Sequence, residues 1–192
     1  MVAQMTFKDL QHAQRVHDER YHREVFNLSS PERVKHYCLH LAKYVGRFAR
    51  NTGSDDELLE TLRSTLTDAM IISLALSDIL NIDIDEQLER EFGKRFKPGF
   101  EGWASVIDDS GKKMELPEIR EYALKGCAEA TGTLCRVAES FDRIESLDHR
   151  SLLIEGLLSW LSILIVSANQ ISLNLPLSIQ ARWKEVEQKQ VS

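Results

Sequence analysis

Two long stretches of this chain read as copies of one another, and a doubled unit restricts the possible folds more than composition does. Leu41 to Arg50 aligns with Cys127 to Arg136, and Ala42, Gly46 and Arg50 recur as Ala128, Gly132 and Arg136. Further on, Ser73 to Ile84 aligns with Leu164 to Leu175. There an apolar run ends in Asn81-Ile82-Asp83-Ile84 in one copy and Ser172-Leu173-Asn174-Leu175 in the other, and Phe92 then falls opposite Trp183. The period is about half the chain, which implies one duplicated unit rather than a short solenoid repeat. Such a unit makes within one chain the two-fold contact that other proteins make by dimerising. The expected state is a monomer built as an internal pseudo-dimer, or a homodimer.

The breakers show that the unit is helical. The 9 Gly and 4 Pro are unevenly placed: Gly93, Pro98, Gly99, Gly102, Gly111 and Pro117 crowd the middle, and long breaker-free stretches flank them. Such stretches favour helices, and no run of strand period stands against them, so the fold class is all-α. Residues 5–26 are expected as a first helix, on which His12, His17 and His22, five apart, wind around the axis. Ser29-Ser30-Pro31-Glu32 and Ser54-Asp55-Asp56-Glu57 read as N-caps, one followed by Pro and the other completed by Glu as in a capping box. They predict helices to about residue 51 and to about Leu80. The first of these carries Val34, Tyr37, Cys38, Leu41, Tyr44, Val45 and Phe48 as an apolar stripe. A short helix from Asp85 to Phe92, a packed connection over 93–117, helices over 118–140 and 149–171, and a short last helix opened by Pro176 complete the pattern. The tail from Glu185 is expected to fray.

Charge and cysteine content narrow the function classes. Net charge is −6, yet residues 1–50 carry 9 Lys/Arg against 5 Asp/Glu and five of the six His. A general nucleic-acid binder needs a net basic face and is not expected. Cys38, Cys127 and Cys135 have no metal-like spacing and read as reduced thiols of a cytoplasmic protein; Cys127 and Cys135 are expected in the core. The most apolar run, Leu152 to Val166, is too short to span a bilayer and is expected as a buried helix, so no membrane partner is expected.

Ala42, Val45 and Gly46 followed by an apolar Phe48, and the run Leu80-Asn81-Ile82-Asp83-Ile84-Asp85-Glu86-Gln87-Leu88, carry a family resemblance. The chain resembles the MazG-like all-α nucleoside triphosphate pyrophosphohydrolases over residues 32–96 and, more faintly, 118–190. The resemblance implies an N-terminal helical extension (1–31), a first unit (32–96), a connecting loop (97–117) and a second unit (118–192), packed as a tandem pseudo-dimer. It also implies Mg²⁺-dependent cleavage of nucleotides to monophosphate and pyrophosphate, through Glu-Glu-x-x-Glu on one helix and Glu-x-x-Asp on the next. Hard carboxylate oxygens facing each other across two helices suit Mg²⁺. Here the first set reads Lys43, Tyr44 and Arg47, and the second Thr65 and Asp68. The second unit offers Glu129, Ala130 and Thr133, then Gly156 and Ser159 with Glu155 one place away. No resident cofactor is expected, and Mg²⁺ enters by resemblance alone, with Asp68, Glu129 and Glu155 as the remnant ligands.

His36, His40, Lys43 and Arg47 follow one edge of their helix. In the family that edge faces the triphosphate; here it is cationic. It reads as a site for a nucleotide or other phosphate ligand bound with weak or no hydrolysis, or else as a solvated basic face. Arg suits bidentate phosphate contact and Lys supplies a point charge. His36 and His40 are also spaced to begin a zinc site if His12, His17 or His22 folds back to complete it. Asp68 is expected to pair with Lys43 or Arg47, and Asp78 to face solvent. Gly46 and Gly132 are expected to mark close helix approaches. Trp160 and Trp183 are expected in the core or an interface, and Trp103 under the connection. Two other functions fit the sequence: a helical scaffold without a ligand, and an active hydrolase drawing on Glu57, Glu60, Asp68, Glu129 and Glu155.

Overall fold

The computed structural model describes residues 5–50, 53–93, 100–107, 112–142 and 147–191. Among them the chain forms nine helices and no strand: α1 (Phe7–Tyr21), α2 (Arg23–Phe26), α3 (Ser30–Phe48), α4 (Asp55–Leu80), α5 (Ile84–Phe92), α6 (Phe100–Ile107), α7 (Leu116–Ser140), α8 (His149–Gln170) and α9 (Leu175–Val191). Asn51 and Thr52, at one expected helix end, and Phe96, Pro98, Gly99 and Gly111 of the expected connection lie outside the described residues.

The caps act where the sequence places them. Glu32 closes a capping box on Ser29, with Pro31 in the first turn of α3, and Ser54 accepts from the Glu57 N–H at the head of α4. Two chain reversals match between the halves. After α4, Asn81 takes φ 48°, and the N–H groups of Asn81 and Ile82 donate to Asp78 and Ser77 carbonyls. After α8, Ser172 takes φ 53°, and the N–H groups of Ser172 and Leu173 donate to Asn169 and Ala168 carbonyls. Asp83 then caps α5 through the Glu86 N–H, and Asn174 caps α9 through the Leu177 N–H. These are the left-handed helix ends that a short polar residue tolerates best.

The bundle packs α3 on α4 and α7, α7 on α8, and α4 on α8. Leu41, Leu62, Leu66, Leu74, Leu134, Leu157, Trp160, Leu161 and Leu164 are fully buried in one continuous core. Among the described residues α8 is the one helix long and apolar enough to cross a membrane, and two-thirds of that window (67%) is buried in the bundle. It is the central helix of the core, as its nearly unbroken apolarity suggests. α1 and α9 lie together against α4, and these elements with α3 enclose the site described below.

Several expectations need correction. The first helix does not run to residue 26: it ends at Tyr21, and His22 (φ −130°, ψ 44°) separates it from α2. The connection is not a loop throughout, since α6 lies within it and packs on α8. α6 is anchored by buried Trp103, whose indole N–H donates to Asp85 at 2.7 Å. The last helix is long, not short, and carries the supposed tail. Gly46 and Gly132 mark no close approach, because a Cβ at either would meet nothing within 4 Å. The tight places are Gly126, against Ile163, and Gly156, against Leu134 and the Ala130 carbonyl. Cys135 is exposed, while Cys38 and Cys127 are buried. Asp78 does not face open solvent but lies between Arg15 and Arg33, each at 3.7 Å.

Candidate functional site

The helical edge on α3 turns toward α1, α4 and α9. His36, His40, Lys43 and Arg47 line one cavity of about 250 Å³ together with Asp68 of α4, His17 and Asp18 of α1, His22 at the α1–α2 break, and Arg182 and Trp183 of α9. Their spacing of four, three and four on α3 places these polar side chains beside Tyr37 and Tyr44, which belong to the apolar stripe. Tyr44 packs under two cations, with Lys43 Nζ 5.0 Å and Arg47 Cζ 5.1 Å from its ring centre.

Asp68 forms the expected pair, and a second one that sequence did not suggest. Arg47 Nη1 donates to its Oδ2 at 2.7 Å, and Arg182 Nε donates to its Oδ1 at 3.0 Å. Arg182 also reaches Glu185 through Nη1 at 2.7 Å. One carboxylate therefore joins α3, α4 and α9. The three residues border a second, open groove of about 760 Å³, lined further by Arg50, Arg63, Glu57, Glu60 and Glu185.

Lys43 is placed differently. Among the described residues no carboxylate lies within ion-pair distance of it, and its ammonium stands 3.2 Å from His40 Nδ1, which accepts when the ring proton is on Nε2. Burial, and then the neighbouring Arg47, push the Lys43 pKa down. Burial and then Lys43 push His40 down to about 4 and lower His36. The histidine rings are held neutral, 4.7 Å apart, beside a cation that Asp68 influences only at a distance, without a direct ion pair among the described residues. Such a surface favours an anion that brings its own acceptor oxygens.

Compared with family models, with curated proteins and with solved structures, the chain matches none.

The remnant ligands do not meet. Asp68 borders the cavity and the open groove, whereas Glu129 and Glu155, both exposed, line a third depression with Thr133, Ser159, Gln87 and Arg90. Of the wider carboxylate set, Glu57 and Glu60 share the open groove with Asp68. Glu57 accepts from the Gly53 N–H at 2.8 Å, and Asp68 is taken by two guanidinium groups. The α1 histidines divide: His17 and His22 join the cavity, and His12 is exposed. Sequence reasoning missed Arg182, Asp18 and Gln14. The Arg182-Trp183 pair following Ile179 was the available signal, since a Trp in the core carries its neighbour to the bundle surface.

Proposed function

We propose that the chain binds a small phosphate-bearing ligand, a nucleotide or a simpler phosphate compound, in the cavity between α1, α3, α4 and α9. The observation that carries this reading is Lys43, an exposed cation at the cavity edge beside neutral His36 and His40, which among the described residues makes no ion pair with a carboxylate. A phosphate would take the counter-charge position, with Arg47 and Arg182 reachable at the cost of loosening their hold on Asp68. Tyr44 and Trp183, both buried, supply apolar lining to the same cavity. Hydrolysis is not part of the reading, because in the open groove Asp68 and Glu185 are held by guanidinium groups and Glu57 by a backbone N–H, and the carboxylates of the third depression lie elsewhere.

The reading keeps the MazG-like tandem arrangement as its frame. Support comes from the matched left-handed caps at Asn81 and Ser172, from the matched side-chain caps at Asp83 and Asn174, and from the third depression. The latter is lined by Thr133, Ser159 and Glu155, in the places that Arg47, Asp68 and Ser64 occupy in the first half. On this view the first-half site became cationic, and the second kept Glu129 and Glu155 beside Thr133 and Ser159.

The test is a thermal-shift and calorimetry series with pyrophosphate and nucleoside mono-, di- and triphosphates, in chelator and then with Mg²⁺. A ligand that binds the native state raises apparent stability by about 2.7 kcal/mol at a hundred times its Kd. We expect such a rise in chelator for at least one phosphate compound, and its loss in Lys43→Met. No response to any phosphate compound, or a response unchanged in Lys43→Met, refutes the site. Steady release of pyrophosphate with Mg²⁺ would replace it with the hydrolase reading, for which Glu57, Glu60 and Asp68 of the open groove are the ligands to substitute.

A further inference from the structure

The α1 side of the cavity holds polar groups that the phosphate reading does not use. His17 is 7% exposed, and neither of its ring nitrogens has a hydrogen-bond partner. Its ring is fixed by Tyr21 at 4.9 Å and by Trp183, stacked at 6.0 Å. Asp18, next along the helix, is 6% exposed, and among the described residues no lysine or arginine lies within ion-pair distance of it. A buried unpartnered imidazole and a buried unpaired carboxylate are each costly, and here they are adjacent and line the same space.

The backbone then brings a third group to them. Residues five apart on a continuous helix point about 140° away from each other, so His22 would face away from His17. α1 instead stops at Tyr21, and the turn at His22 swings its ring to 5.5 Å from that of His17. One ligand atom from each of His17, Asp18 and His22 then lies within 4.8 Å of the others. Asp18 is also oriented from behind: Trp183 Nε1 donates to Gln14 Oε1 at 2.7 Å, and Gln14 Nε2 donates to Asp18 Oδ1 at 2.8 Å. Outer hydrogen bonds of this kind fix the direction of a ligating carboxylate. On the other side, Glu24 Oε1 lies 3.8 Å from His22 Nδ1, near enough to accept the proton of that nitrogen once the ring turns.

We infer that His17, Asp18 and His22 hold one divalent transition-metal ion, with its remaining coordination positions open to the cavity. Two imidazoles and one carboxylate suit zinc, cobalt or iron(II), whereas Mg²⁺ and Ca²⁺ prefer an all-oxygen set. Ligands about 2.1 Å from a zinc ion stand about 3.4 Å apart, so the cluster closes by roughly an ångström on loading. The half-exposed His22 side chain, which meets the His17 ring at 5.5 Å and makes a long contact to Glu24, supplies that movement. His17 and Asp18 stay where the core has set them.

The inference stands apart from phosphate binding, because the metal is added alone. The full chain is stripped with chelator and titrated with Co²⁺ followed by visible absorption, and then with Zn²⁺ in competition. One equivalent of Co²⁺ with ligand-field bands, displaced by Zn²⁺, is expected. His22→Ala, at a half-exposed position, should keep the helical circular dichroism and weaken binding by more than a hundredfold. Gln14→Leu, which removes only the oriented support of Asp18, should weaken it by about 10- to 100-fold. His36→Ala and His40→Ala should leave the Co²⁺ affinity unchanged. Absence of saturable binding overturns the inference. So does binding that survives His22→Ala and Asp18→Asn, or binding that is lost in His36→Ala while His22→Ala retains it. A cavity that takes Co²⁺ but no phosphate would leave this site intact and remove the proposed function, and the converse result would do the opposite.

Discussion

Burial and the neighbouring Lys43 hold His40 neutral, with its pKa pushed down to about 4 from the usual 6.5; His36 and Arg47 add to the effect and Asp68 opposes it. His17 and His36 are lowered in the same direction, each chiefly by burial. A histidine whose folded pKa is depressed binds fewer protons in the native state than in the unfolded chain. Its contribution is complete above the unfolded value and is lost as pH falls from about 6.5 toward about 4. Chelator-treated protein is therefore expected to lose urea resistance across that window. His40→Gln, which keeps an acceptor for Lys43, should lose less than wild type between about pH 7 and about pH 4.5. Equal losses in the two proteins would show that His40 does not titrate as its surroundings require. At this scale the sequence was partly readable. Arg47 and Asp68 lie on successive helices, α3 and α4, that pack on each other, so their pairing follows from facing surfaces. Arg182 joins them from the other end of the chain, and only the docking of α9 on α4 brings it there. The spacing of four, three and four along His36, His40, Lys43 and Arg47 shows that they share an edge, but what covers that edge is a tertiary property.

Helix ends follow local chemistry, and most were legible: Ser29 with Glu32, Ser54 with Glu57, and the polar residues at Asn81 and Asp83 all act at the boundaries they mark. The break at His22 was not, because no Gly or Pro announces it and neither side-chain cap nor breaker sets it. α6 was obscured by the glycines around it. Glycine inside helices gave the most misleading signal. A mid-helix Gly implies a close neighbour only when something lies beside it, and nothing does at Gly46 or Gly132. Alanine there restricts the unfolded chain and adds helix propensity. Gly46→Ala and Gly132→Ala should each stabilise by up to about 1 kcal/mol. Gly156 is the reverse case. A Cβ there would sit 2.8 Å from Leu134 Cδ2, 2.9 Å from its Cγ and 3.5 Å from the Ala130 carbonyl, so Gly156→Ala should destabilise by about 1–3 kcal/mol. At Gly126 the obstacle is chiefly the far end of Ile163, which can rotate aside, and a smaller loss is expected. Urea denaturation of the four variants gives the order; a stabilising Gly156→Ala would mean that α7 and α8 are not packed as described.

For the whole molecule, the core does not divide between the two halves. α3 packs on α7 and α4 on α8, and the buried residues of both halves form one cluster. A fragment ending at residue 93 would leave Leu41, Leu66 and Leu74 without the partners that exclude water from them. It should not unfold cooperatively as a monomer, whereas the full chain should show one transition. A sharp monomeric melt of the fragment would contradict the shared core. The all-α class and the succession of the longer helices were visible in the periodicity of the chain, whereas α6 and the α1–α2 break were not. The way the extension closes over α3 was not, since α1 reaches α4 and α9 through contacts distant in sequence, such as Trp183 with Gln14. Arg47, Asp68 and Arg182 border the inner cavity and the outer groove at once. The two spaces are thereby thermodynamically conjugate. A guest on one side that draws a guanidinium off Asp68 alters the affinity of the other side, by a factor that is the same read in either direction; a guest that leaves the three side chains undisturbed transmits nothing through them.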